Sequence, residues 1–84
     1  MIKVPLDKLG WEDYHSSCGA LYQNKKFTGI AYDDGKKNYS ETIFVNGKRN
    51  GREYGIDKET QTLRWETFYR DDNPVRKDKH KLGV

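Results

Sequence analysis

The chain has 84 residues, 16 Lys and Arg against 13 Asp and Glu, a formal net charge of +3 and 13% aromatic residues. That length supports one domain, close to the lower limit for a self-sufficient core, and Leu, Ile, Val and Phe together supply only 16 of its residues. The small net charge argues against disorder, the interspersed signs exclude a concentrated footprint for nucleic acid, and the core is expected to rest on Tyr, Phe and Trp rather than on Leu and Ile.

At the N-terminus, residues 1–8 contain no apolar signal core, and no window of the chain approaches a membrane span, so a cytoplasmic location is the expectation. Residues 1–18 are expected to form a first strand and a cap over the open end of a sheet, anchored by Trp11 and Tyr14. The same segment carries His15 and Cys18 beside Glu12 and Asp13, a spacing that can make a nucleophile pair or half of a metal site. Cys18 is the only cysteine, which excludes an internal disulfide, and His80 stands alone near the C-terminus, so no structural zinc set is complete. The expectation is a buried small thiol beside a surface imidazole: no enzyme, no cofactor and no metal.

Three later segments begin alike: Tyr22-Gln23-Asn24-Lys25, Phe44-Val45-Asn46-Gly47 and Tyr69-Arg70-Asp71-Asp72, spaced 22 and 25 residues apart. The match extends from Gly29 to Gly51, from Tyr32 to Tyr54, and from Glu41-Thr42-Ile43-Phe44 to Glu66-Thr67-Phe68-Tyr69; extra residues around Asp57-Lys58-Glu59 account for the longer second spacing. A period in the twenties marks supersecondary units that are stable only when neighbours cover them. Helical periodicity is nearly absent, while turn residues recur at Asn24-Lys25-Lys26, Asp33-Asp34-Gly35, Asn46-Gly47-Lys48 and Asp71-Asp72-Asn73-Pro74.

Between those turns lie short β-prone runs at 27–32, 39–45, 51–56 and 63–69. Two alternate with a period of two, most clearly Leu63, Trp65, Thr67 and Tyr69 against Arg64, Glu66 and Phe68. The fold class expected is all-β: an antiparallel meander of tandem hairpin repeats over 19–75, an N-terminal cap over 1–18, and a frayed, solvated basic tail over 76–84, all within one domain. Gly29, Gly51 and Gly55 fall inside strand runs, which predicts bulges or aromatic rings lying on bare backbone.

The repeat unit resembles the MORN family, in the variant found in bacterial proteins. Phe44-Val45-Asn46-Gly47-Lys48-Arg49-Asn50-Gly51-Arg52-Glu53-Tyr54 is similar to the first half of that unit, and Leu63-Arg64-Trp65-Glu66-Thr67-Phe68-Tyr69 to the second. Lys25 stands where the turn glycine of the pattern is expected, and the last repeat is incomplete. The resemblance implies a non-catalytic immunity protein or antitoxin that neutralises a cognate bacterial toxin by direct binding, including toxins delivered between neighbouring cells. The alternative it allows is a MORN-type scaffold that binds another protein or an anionic membrane surface.

For the first reading the toxin-binding candidates are Tyr32, Asp33, Asp34, Tyr39, Arg49, Arg52 and Arg64, because Tyr and Arg dominate tight interfaces and these positions fall at turns or on the presumed open face. The partner implied is a toxin protein, with no nucleic acid and no membrane. A monomer in a 1:1 complex is expected, with edge pairing near residues 63–69 as the other oligomeric possibility.

Overall fold

The computed structural model describes residues 1–13 and 18–75; Tyr14, His15 and the basic tail lie outside the described residues. The described chain forms strands β1 (Lys3–Pro5), β2 (Gly10–Asp13), β3 (Cys18–Tyr22), β4 (Lys25–Lys26), β5 (Gly29–Asp34), β6 (Asn38–Val45), β7 (Lys48–Asp57), β8 (Leu63–Arg70) and β9 (Asn73–Val75), with one turn of 3-10 helix at Leu6–Lys8. The fold is all-β, as expected.

Three hairpins share one turn chemistry. Gln23 and Asn24, Asn46 and Gly47, and Asp71 and Asp72 all adopt positive φ, between 51° and 84°. Each pair links strands whose closing residues, Tyr22 with Lys25, Val45 with Lys48 and Arg70 with Asn73, face one another. These are two-residue type I′ turns, whose twist matches that of the strands they join. The glycine position of the first turn is therefore occupied by Asn24, not Lys25. Asn accepts the left-handed region through its short polar side chain, whereas Lys does not.

Two sheets result, one with the order β1-β5-β6-β7-β8-β9 and one with β2-β3-β4. This departs from a single antiparallel meander in two ways. Lys3–Pro5 pairs parallel to Gly29–Asp34, and the Tyr22–Lys25 hairpin belongs with Gly10–Asp13 in the smaller sheet, so the capping unit extends past residue 18 to residue 26. Backbone hydrogen bonds give the reason. The Gly47 amide donates to the Phe27 carbonyl and the Ala20 amide donates to the Gly47 carbonyl, both at 2.8 Å, so the tip of the β6–β7 hairpin is clamped where the first hairpin would otherwise have lengthened.

The clamp brings the smaller sheet over one face of the larger. Val4, Leu9, Ala20, Phe27, Ala31 and Phe44 form the core, with Leu6, Trp11 and Tyr22 packed around it. Trp11 lies 6.1 Å from Phe44, and Phe27 lies 5.9 Å from both Phe44 and Tyr22, centroid to centroid. The aromatic core is thus made by Phe, Trp and one Tyr, while the remaining described tyrosines sit elsewhere. Two interior glycines are explained locally. Gly51, at φ +111°, sits where the β6–β7 register shifts between Thr42 and Phe44. Gly55, paired with Trp65, lies directly beneath its indole.

Candidate protein-docking face

Side chains alternate across a strand, so the register decides which residues look away from the core. Val4, Ala31, Thr42, Glu53 and Thr67 are aligned across five strands and face the core side. One residue along, Tyr32, Glu41, Tyr54 and Glu66 align across β5 to β8 on the opposite side. Their neighbours two residues away are Ile30 with Ile43, Asp34 with Tyr39 and Ile56, and Arg52 with Phe68 and Val75. The small sheet packs on the core side, which leaves this second face to solvent among the described residues.

The face is organised around Glu41. Its Oε2 accepts from Lys3 Nζ at 2.7 Å and from the Tyr39 hydroxyl at 2.6 Å, and Tyr54 stands directly across from it on β7. Burial pushes the Glu41 carboxyl up, but Lys3, Tyr39 and Tyr54 around it outweigh that and hold the carboxyl below its ordinary value. The hydrogen bonds to Glu41 and Tyr39 raise Lys3. Tyr39 is raised by burial and by the bond it gives to Glu41.

Around this hub the rings are fixed. Tyr32 and Tyr39 stack at 6.2 Å with 25° between planes, and the Arg52 guanidinium lies 4.3 Å from the centre of the Tyr54 ring while its Nε donates to Glu66 Oε2. The result is a half-buried row of alternating aromatic and acidic groups, flanked by one ammonium and one guanidinium.

The candidate residues divide between locations. Tyr32, Tyr39 and Arg52 meet on this face, with Asp34 at its margin in an ion pair with Lys58 at 2.6 Å. Asp33 alternates to the other side, but Tyr32, Asp33 and Asp34 together line a depression of about 190 Å³ with Pro5, Leu6 and Asp7. Arg49 also lies on the core side, 4.6 Å from the Tyr69 ring centre and 3.3 Å from Asp72. It lines a depression of about 250 Å³ with Leu6, Trp11, Thr42, Phe44 and Glu53. There Thr42 donates to Glu53 at 2.9 Å. Arg64 sits at the end of the sheet, 3.2 Å from Asp57, in a polar hollow of about 390 Å³ with Lys36, Lys37, Asn38 and Glu59.

Lys3, Glu41, Tyr54 and Glu66 were not among the residues singled out by sequence reasoning. For Tyr54 and Glu66 the signal was present in the aligned repeat positions; for Lys3 there was none. Among the described residues no group of three His, Cys, Asp or Glu is placed to hold a metal ion, and no helix is long and apolar enough to cross a membrane. No family model, no curated protein and no solved structure matches the chain.

Proposed function

We propose that the chain is an immunity protein or antitoxin of the bacterial MORN-like type, which neutralises a toxin protein by docking the open face of its six-stranded sheet. The observation that carries this reading is the preorganised row of Tyr32, Glu41, Tyr54 and Glu66 with Tyr39, Lys3 and Arg52, held by hydrogen bonds on a face its own core does not use. Tyr and Arg anchors bind well because they offer large, amphipathic surfaces at low entropic cost. Here their rotamers are already fixed by Glu41 and Glu66, which reduces the ordering cost of association. The interleaved charges favour a protein partner of matching pattern, because adsorption to an anionic membrane needs a concentrated basic face.

The test is a growth assay. The product of the gene immediately upstream is expressed under tight control with and without this chain, and the pair is co-purified if growth is rescued. Rescue with a stable complex that Tyr39→Ala and Arg52→Ala each weaken by about tenfold or more, while the exposed control Lys26→Ala in the smaller sheet does not, supports the reading. A harmless neighbour, or toxicity with neither rescue nor complex, refutes it for that pair. Rescue that is insensitive to both face variants moves the interface elsewhere.

A further inference from the structure

The tip of the β6–β7 hairpin is Asn46-Gly47, the kind of dipeptide most prone to lose its side-chain amide. Glycine has no side chain to shield its nitrogen, and in a chain free to rotate that nitrogen attacks the preceding Asn. The other two I′ tips, Gln23-Asn24 and Asp71-Asp72, place no glycine after an asparagine. At this tip the fold leaves no substitute. Gly47 has φ +84°, and a Cβ on it would stand 3.1 Å from the Ala20 carbonyl oxygen. The residue that lets the tip enter the clamp is thus the one that makes Asn46 labile.

The closed clamp blocks the reaction in two ways. Gly47 is buried and its amide donates to the Phe27 carbonyl at 2.8 Å, which engages the proton that the nitrogen must lose before it can attack. The type I′ geometry, with ψ of about +30° at its first central residue, also sets the Gly47 nitrogen anti to the Asn46 side chain. Ring closure needs the two on the same side of the Cα–C bond. Asn46 itself is exposed to water, and its amide donates to the Thr28 hydroxyl at 2.9 Å, which ties the turn to the segment entering β5.

We propose that Asn46 is a self-modification site that the clamp holds in check and whose product opens the clamp irreversibly. When the tip lifts off Phe27, solvent base takes the Gly47 amide proton and the nitrogen attacks Asn46 Cγ. The N–Cγ bond forms, the Cγ–Nδ2 bond breaks, and ammonia leaves with a proton taken from water. Water then opens the succinimide ring and the Gly47 nitrogen recovers its proton, so the sum is one water consumed and one ammonia released. Attack of water at Cγ gives aspartate; attack at the backbone carbonyl gives isoaspartate, in which the chain runs through Cβ and is one atom longer. A two-residue turn cannot absorb that atom while Gly47 both donates to Phe27 and accepts from Ala20, so the smaller sheet loses its anchor on the larger one. The site lies at the hairpin tip and is independent of the proposed toxin-docking face.

The full chain is aged in mildly alkaline buffer, and the conversion of each Asn is followed by peptide mass mapping. Asn50-Gly51, inside β7 and with Gly51 paired to Tyr69, serves as the internal reference. Asn46 is expected to react at least about tenfold more slowly in the folded chain than in concentrated urea. Thr28→Val removes the acceptor of the Asn46 amide and speeds the reaction at Asn46 about two- to tenfold, with Asn50 unchanged, whereas Thr28→Ser keeps a hydroxyl and the native rate. Gly55→Ala, which strains the sheet at its far end beneath Trp65, leaves the Asn46 rate unchanged. The isoaspartyl form, separated by ion exchange, unfolds at a lower urea midpoint than Asn46→Asp, which carries the same charge without the added backbone atom. Equal Asn46 rates in buffer and in urea, an effect of Gly55→Ala as large as that of Thr28→Val, or an isoaspartyl form as stable as Asn46→Asp overturns the proposal.

Discussion

Gly55→Ala tests the packing between β7 and β8 with a predicted change of sign. Gly55 is buried, yet its φ is not among the positive values of the chain, so the backbone itself accepts a side chain there. Only the ring of Trp65 forbids it, because an added Cβ would fall inside the van der Waals envelope of three indole carbons. The ring is 41% exposed and can swing outward. A fully covered Trp buries about 150–250 Å², so the covered part here is roughly 100–150 Å², and about half of it faces Gly55. At about 25 cal/mol per Å² the lost contact costs about 1.3–1.9 kcal/mol, against a gain of about 0.5–1 kcal/mol from removing a strand glycine. The net loss is about 1 kcal/mol, which lowers the melting temperature by roughly 4–8 °C in a domain of this size. In a Trp65→Ala background the obstacle is gone, and the same Gly55→Ala change becomes stabilising by about 0.5–1 kcal/mol. Thermal and urea unfolding of the four proteins complete the cycle. Equal destabilisation by Gly55→Ala in both backgrounds would refute the account.

The hub on the open face predicts an acid-sensitive element. Glu41 is held below its ordinary value of 4.5 in the folded protein, so its contribution is fully present above that value and is lost as pH falls through the depressed folded one. Urea midpoints measured from pH 7 to pH 3 should fall less steeply in Glu41→Gln than in the native chain, with Asp57, also held low by the backbone amides of Thr60 and Glu59, supplying part of the remaining slope; parallel slopes would contradict the assignment. At the first hairpin, Asn24→Gly is expected to stabilise by about 0.5–1 kcal/mol because position 24 has φ 66°, and Lys25→Gly to destabilise by a similar amount because it lies in a strand; the opposite ranking in chemical denaturation would shift the turn by one residue. At the last hairpin, Asp72 has φ 70° and its Oδ1 accepts from the Arg49 amide at 2.7 Å. Asp72→Ala should therefore cost about 2 kcal/mol. Asp72→Asn, which tolerates that φ and keeps an acceptor, should cost under about 1 kcal/mol, as read by differential scanning calorimetry.

The strands and turns were legible because they are local. The β-prone run from Leu63 to Tyr69 and the Asn46-Gly47 turn need only a few neighbouring residues, and strand and turn are where the sequence puts them. The bulge at Arg64, however, interrupts the expected period-two alternation and separates Leu63 from the Trp65 face. The choice of face was not legible, because hydrophobicity alone misleads in β6. Thr42 is buried, with its hydroxyl satisfied by Glu53, while Ile43 is only half-buried. Asp33 and Asp34 read as one turn, but β5 continues to Asp34, and consecutive strand residues must point to opposite sides. The turn falls instead at residues 35–37, closed by the Gly35 amide on the Asn38 carbonyl at 2.9 Å. Lys3 was invisible because β1 reaches β5 by a parallel crossover with no turn signature, and its partner Glu41 lies 38 residues away.

That crossover also explains why the open face is stiff. A thin sheet with its core on one side would leave Tyr32, Tyr39 and Tyr54 free to reorient, and each would then pay a rotamer cost on binding. Placing β1 at the edge delivers the Lys3 ammonium to the Glu41 carboxylate, and the two hydrogen bonds converging there fix Tyr39 in turn. Stacking on Tyr39 restrains Tyr32, and Glu66 holds Arg52 over Tyr54. Because these pairs are partly exposed, each adds little to folding stability. Their larger effect falls on recognition: they keep aromatic surface and guanidinium in one arrangement before a partner arrives, so removing Lys3 should weaken docking more than it weakens the fold.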